Sequence, residues 1–133
     1  MSRVLLDTNA VSSLFSGDRK VLGAVEKAGA VLMSVIVMGE LNAGFLGGSQ
    51  PGRNRKILGS FLEKPGVEVV PVSAETAEIF GSVMQGLRKA GTPLPINDVW
   101  IGCQALENGA KLVTYDRHFT LIPGVRVWEE FAT

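Results

Sequence analysis

The chain has 133 residues, 46% of them apolar and 20% charged, which suits one compact domain and excludes a disordered or fibrous polymer. Thirteen basic residues balance thirteen acidic ones, so bulk electrostatics alone cannot hold nucleic acid, although local basic patches are not excluded. A lone cysteine, Cys103, rules out a disulfide framework and reads as a small core residue in a reducing compartment. No apolar stretch approaches the ~20 residues of a membrane span, and the expected location is the cytoplasm.

In chain order, Val4–Leu6 reads as a short buried strand that stops at an acid, Asp7, with a short helix over Asn9–Phe15 that SGD breaks. The helical stretch DRKVLGAVEKAG leads to a strand at Ala30–Met33. SVIVMGELNAGFLGG and GRNRKILGSFLEK are the next helices, followed by a strand at Val67–Val70. Ser73 is an N-cap for SAETAEIFGSVMQGLRKAG, with Glu75 in the first turn. NDVWIGCQALENG then precedes strands at Lys111–Thr114 and Val125–Trp128. This alternation predicts a single α/β domain over residues 1–133, a parallel sheet with helices on both faces.

Ligands of open parallel sheets bind beyond the carboxyl ends of the strands. Asp7 stands at such an end, and so does Asp116, two residues past Thr114 in LVTYD. Either alone reads equally well as a turn or capping residue. Asp98 opens a helix in which Ile101, Gly102 and Ala105 follow at i+3, i+4 and i+7, so its carboxylate shares a face with apolar and small residues rather than with Trp100, Gln104 and Glu107. The helix dipole explains an acid in the first turn; it does not explain an inward direction. Glu40 is the only charged residue in SVIVMGELNAGF, and no Lys or Arg lies in its helix. A buried carboxylate needs a cation, either a distant arginine or a metal.

In a parallel sheet these four acids converge. Carboxylates packed together repel, and a hard divalent cation relieves the repulsion; an all-oxygen set suits Mg²⁺ or Mn²⁺ rather than zinc. Such a site can activate water and polarise a phosphodiester. Thr8, Asn9, Ser34, Asn97 and Thr114 lie beside a strand end or an acid and can orient them, though each alone also reads as a cap or turn residue and Ser34 could simply cap the Glu40 helix.

The ordered set LLDTNAV, SVIVMGEL, PLPINDVWIGCQAL and KLVTYDRHFTLIPGVRV resembles the PIN-domain nucleases, in particular the VapC-type toxins of toxin–antitoxin pairs, over essentially the whole chain. LRKAGTPLPINDVWIGCQAL is its most specific part. The resemblance implies a PIN-like three-layer α/β/α fold with a five-stranded parallel sheet and an acidic Mg²⁺ or Mn²⁺ pocket at the strand ends. It implies metal ligation and catalysis by Asp7, Glu40, Asp98 and Asp116, endonucleolytic cleavage of RNA, a VapB-type antitoxin that inserts a segment near the pocket, and homodimers. At the Asp116 position many relatives carry Asn, with an acid three residues later where this chain has Phe119.

Hydrolysis by activated water leaves a 5′-phosphate and needs no RNA 2′-hydroxyl. Arg117 and His118, close to Asp116, are the expected phosphate contacts, while Arg53, Arg55 and Lys56 read equally as a solvated helix face. A PIN nuclease outside a toxin pair and a non-catalytic PIN binding module are the alternatives. Retention of all four acids weighs against the second, and a short chain with no appended domain weighs against the first.

Overall fold

A computed structural model describes residues 2–131. Four strands, β1 (Arg3–Leu6), β2 (Ala30–Ser34), β3 (Val67–Val70) and β4 (Lys111–Val113), form one sheet in the order β3-β2-β1-β4. Every pairing is parallel, with Leu5 opposite Leu32 on one side and Leu112 on the other. Consecutive residues of a strand face opposite sides of the sheet. Val4, Leu5 and Leu6 are all buried, as are Val31, Leu32 and Met33, so both faces of the two central strands are covered. β3 is an edge, and Glu68 and Val69 on it are exposed.

Each parallel crossover carries two helices. The first holds α1 (Thr8–Phe15) and α2 (Arg19–Lys27), the second α3 (Val35–Leu46) and α4 (Pro51–Leu62), and the third α5 (Ala74–Ala90) and α6 (Ile96–Glu107). Local chemistry sets their ends. Asp18 caps α2 by accepting from the N–H groups of Lys20 and Val21. Ser73 caps α5 in a reciprocal box with Thr76, and Gly91, at φ 70°, closes that helix in the left-handed region that favours glycine. Among the described residues no helix is long and apolar enough to cross a membrane.

The expected fifth strand over Val125–Trp128 is reduced to one parallel bridge, Leu112 to Val127. Two ladder bonds form, from Leu112 N–H to Arg126 O at 2.8 Å and from Trp128 N–H to Leu112 O at 3.0 Å. The next acceptor on that edge, Thr114 O, is taken instead by the indole N–H of Trp128 at 2.5 Å. The chain then tightens into a 3-10 turn at Glu129–Phe131, and pairing stops.

α6 also departs from the expected pattern. Gln104, assigned to its outer side with Trp100 and Glu107, is fully buried. The helix is covered on more than one side: Val99, Ile101, Cys103 and Ala105 are buried too, and Trp100 stacks on Phe80 of α5 with ring centroids 3.9 Å apart. The Gln104 amide donates to Val70 O at 3.3 Å and Pro71 O at 3.2 Å, and its carbonyl accepts from Ser34 Oγ. It thereby ties α6 to the ends of β2 and β3.

Candidate functional site

The acids gather where the carboxyl ends of β1 and β4 meet the starts of α1 and α6. Asp7 follows β1 and is 5% exposed. It is the N-cap of α1. Its Oδ1 accepts from Ala10 N–H at 2.9 Å, while Oδ2 accepts from the Thr114 hydroxyl at 2.5 Å. Both oxygens are thus fixed by chain elements far apart in sequence. Thr114 Oγ1 also accepts from Asp116 N–H at 2.9 Å, so this buried hydroxyl links the ends of β1 and β4.

Glu40, on α3, is half-buried and meets polar groups from two other helices. Thr8 Oγ1 donates to its Oε1 at 2.5 Å, and Asn97 Nδ2 lies 3.5 Å from Oε2. The ion pairs seen among the described residues do not include Glu40. Asp98 lies in the first turn of α6, with its side chain 23% exposed. Asp116 caps the 3-10 turn Arg117–Leu121 through His118 N–H at 3.1 Å.

Electrostatics record the crowding. Burial, more than any other cause, holds the Asp7 carboxyl above the ordinary aspartate range, and the Asp98 and Asp116 carboxylates add to the shift. The Thr114 and Ala10 donors oppose it. Asp98 is likewise raised, by burial first and then by Glu40 and Asp116, against the opposing His118.

The remaining predicted residues divide. Thr8, Asn97 and Thr114 bond to acids as described. Ser34 does not: its hydroxyl caps α3 through Ile36 N–H at 3.0 Å and turns to Gln104. Asn9 is exposed in the first turn of α1. Arg117 is exposed, as are Arg53, Arg55 and Lys56 along α4. His118, expected as a phosphate contact, lies between two of the acids, with Nε2 2.9 Å from Asp98 Oδ2 and Nδ1 3.0 Å from Asp116 Oδ1. A histidine two residues after a strand-end acid is the one sequence signal that could have placed it there.

Ligand atoms of Asp98, Asp116 and His118 all lie within 4.8 Å of one another and could hold a divalent cation; among the described residues Asp7 and Glu40 fall outside that group.

A parallel α/β sheet with acids at its carboxyl ends defines the class, and the sequence agrees: the chain belongs to the PIN domain family, whose model matches residues 4–125. Within that family its similarity is to VapC-type proteins. Ribonuclease VapC4 of Mycobacterium tuberculosis is 30% identical over 95 residues, which cover 71% of this chain and 73% of the relative. Ribonuclease VapC1 of Haemophilus influenzae strain R2866 is 27% identical over 134 residues, covering 96% of each. The crystal structure of VapBC2 from Rickettsia felis, bound to a DNA fragment from its promoter, contains a chain that superposes with a TM-score of 0.85 at 25% identity, covering 95% of this chain and 97% of that one.

Proposed function

We propose that this chain is the toxin of a type II toxin–antitoxin pair, an endoribonuclease that hydrolyses RNA phosphodiester bonds at Asp7, Glu40, Asp98 and Asp116 with Mg²⁺ or Mn²⁺. The observation that carries this reading is the gathering of Asp7, Asp98 and Asp116, with Glu40 acting on Asp98, at the strand ends of a VapC-like PIN fold. A cation held there supplies the positive charge that polarises the phosphate and acidifies water.

The chain's own groups do the rest. Ala10 N–H and Thr114 hold both oxygens of Asp7, and Thr8 and Asn97 hold Glu40, so the carboxylates meet the substrate in fixed directions. Asp98 is more accessible than Asp7, so its carboxylate is the one placed to take a proton from the attacking water. Water oxygen bonds to phosphorus and the ribose 3′ oxygen leaves, giving a 5′-phosphate and a 3′-hydroxyl.

The partner is a VapB-type antitoxin. An apolar groove of about 590 Å³ between α1, α2 and α4, lined by Leu14, Phe15, Leu22, Val25, Ile57 and Phe61 with Glu26, Lys56 and Lys64 beside them, offers its apolar segment a seat. The similarity to chains of VapBC complexes supports an antitoxin as the partner.

Cleavage of a mixed RNA pool by the purified chain, freed of any copurifying partner, tests the reading. Mg²⁺ or Mn²⁺ should give 5′-phosphate ends, EDTA should abolish cutting, and Asp98→Asn should slow it at least about 100-fold. Cutting that survives in the variant, or products ending in a 2′,3′-cyclic phosphate, would refute it.

A further inference from the structure

The chain has one histidine, and it stands among the acids. Its ring is fixed from several sides. His118 N–H donates to Asp116 Oδ1 at 3.1 Å, the Asp116 backbone is in turn held by Thr114, and the ring lies 4.8 Å from that of buried Phe119. Asp116 Oδ1 lies 3.0 Å from Nδ1. Nε2 is buried and makes no well-formed hydrogen bond, and Asp98 Oδ2 stands 2.9 Å from it.

One ligand atom each from Asp98, Asp116 and His118 lie within 4.8 Å of one another. The 2.9 Å between Nε2 and Asp98 Oδ2 matches two adjacent ligands of one octahedral ion, which stand about 3 Å apart when each bond is about 2.1 Å. A histidine that ligates a metal through one nitrogen commonly gives its other N–H to a carboxylate, and Asp116 stands in that place.

We propose that His118 Nε2 is a direct ligand of the divalent cation beside Asp98, with Asp116 Oδ1 orienting the imidazole. The centre is then a mixed nitrogen–oxygen site. Imidazole nitrogen suits transition metals better than it suits Mg²⁺, so His118 tilts the site toward Mn²⁺. The inference rests on the metal-dependent nuclease reading above.

Electron spin-echo spectroscopy of the tag-free full chain loaded with Mn²⁺ tests it without recourse to activity. The expected spectrum carries ¹⁴N modulation from imidazole, which changes to the ¹⁵N pattern when only histidine is labelled. The modulation should vanish in His118→Gln. In calorimetric titrations the same variant should lose about tenfold or more in Mn²⁺ affinity and less in Mg²⁺ affinity. Mn²⁺ bound by the wild-type chain without nitrogen modulation overturns the role of His118 and leaves the nuclease reading intact. Failure of the wild-type chain to bind Mn²⁺ or Mg²⁺ overturns both.

Discussion

Gly102 controls how closely α6 approaches the 3-10 turn that carries His118, and its replacement by alanine measures that approach. A Cβ built at Gly102 lies 2.5 Å from Ile122 Cδ1, and the next atoms are 3.8 Å away. Ile122 is 1% exposed and directly follows the Arg117–Leu121 turn, while Gly102 lies one helical turn beyond Asp98. Two effects oppose each other in Gly102→Ala. Alanine gains about 1 kcal/mol of helix propensity over glycine. Overpacking a filled core costs about 1–3 kcal/mol, since Ile122 must leave its rotamer or push the turn outward. The expected net is a loss of about 1 kcal/mol.

Ile122→Val removes the one clashing atom and on its own costs about 0.5–1.5 kcal/mol. In the double variant the new methyl enters the vacated space. The pair should therefore return close to wild-type stability, with a favourable coupling of at least about 1 kcal/mol. Urea denaturation of the four proteins, followed by circular dichroism, gives the cycle. Stabilisation by Gly102→Ala alone, or additive effects in the double variant, would show that Ile122 swings aside freely and that Gly102 does not set the approach.

Two further predictions follow from buried or coupled polar groups. Tyr115, the only tyrosine, donates to Asp18 Oδ2 at 2.7 Å, and partial burial followed by that carboxylate pushes its phenol up to about 12. Between the ordinary value of about 10 and that midpoint the unfolded chain loses the proton and the folded chain keeps it, so stability falls as pH rises through this window. Absorbance titration of tyrosinate should show the late midpoint, with a return toward the ordinary value in Asp18→Asn; an unshifted wild-type midpoint refutes the contact. Gln104→Leu strips the Val70 and Pro71 carbonyls of their donor and Ser34 of its acceptor, and should cost about 2–4 kcal/mol, read as a lower urea midpoint at unchanged slope. A loss under about 1 kcal/mol would mean that water replaces the amide.

Three of the four candidate acids sit where local chemistry already fixes their place, and the sequence therefore showed their positions. Asp7 ends a strand and caps a helix, Asp98 occupies a first turn, and Asp116 caps the turn after the last paired strand. A parallel sheet brings such ends together whatever the details of packing. Contacts that join distant elements leave no such mark. Gln104 was misassigned because helical periodicity supposes one buried face, whereas α6 is covered on several sides, and its one amide had to satisfy the ends of two strands. The fifth strand failed for a related reason. Its apolar residues suited a strand, but a single indole N–H took the acceptor that the ladder needed next. His118 combines both cases. Its spacing put it near Asp116, and only the burial of Phe119 and the cap at Asp116 turned the ring toward Asp98 rather than toward solvent. Residue type and spacing thus identify the charges of such a centre, while the side chains that aim them, Thr8 on Glu40 and Thr114 on Asp7, depend on which strand ends lie side by side.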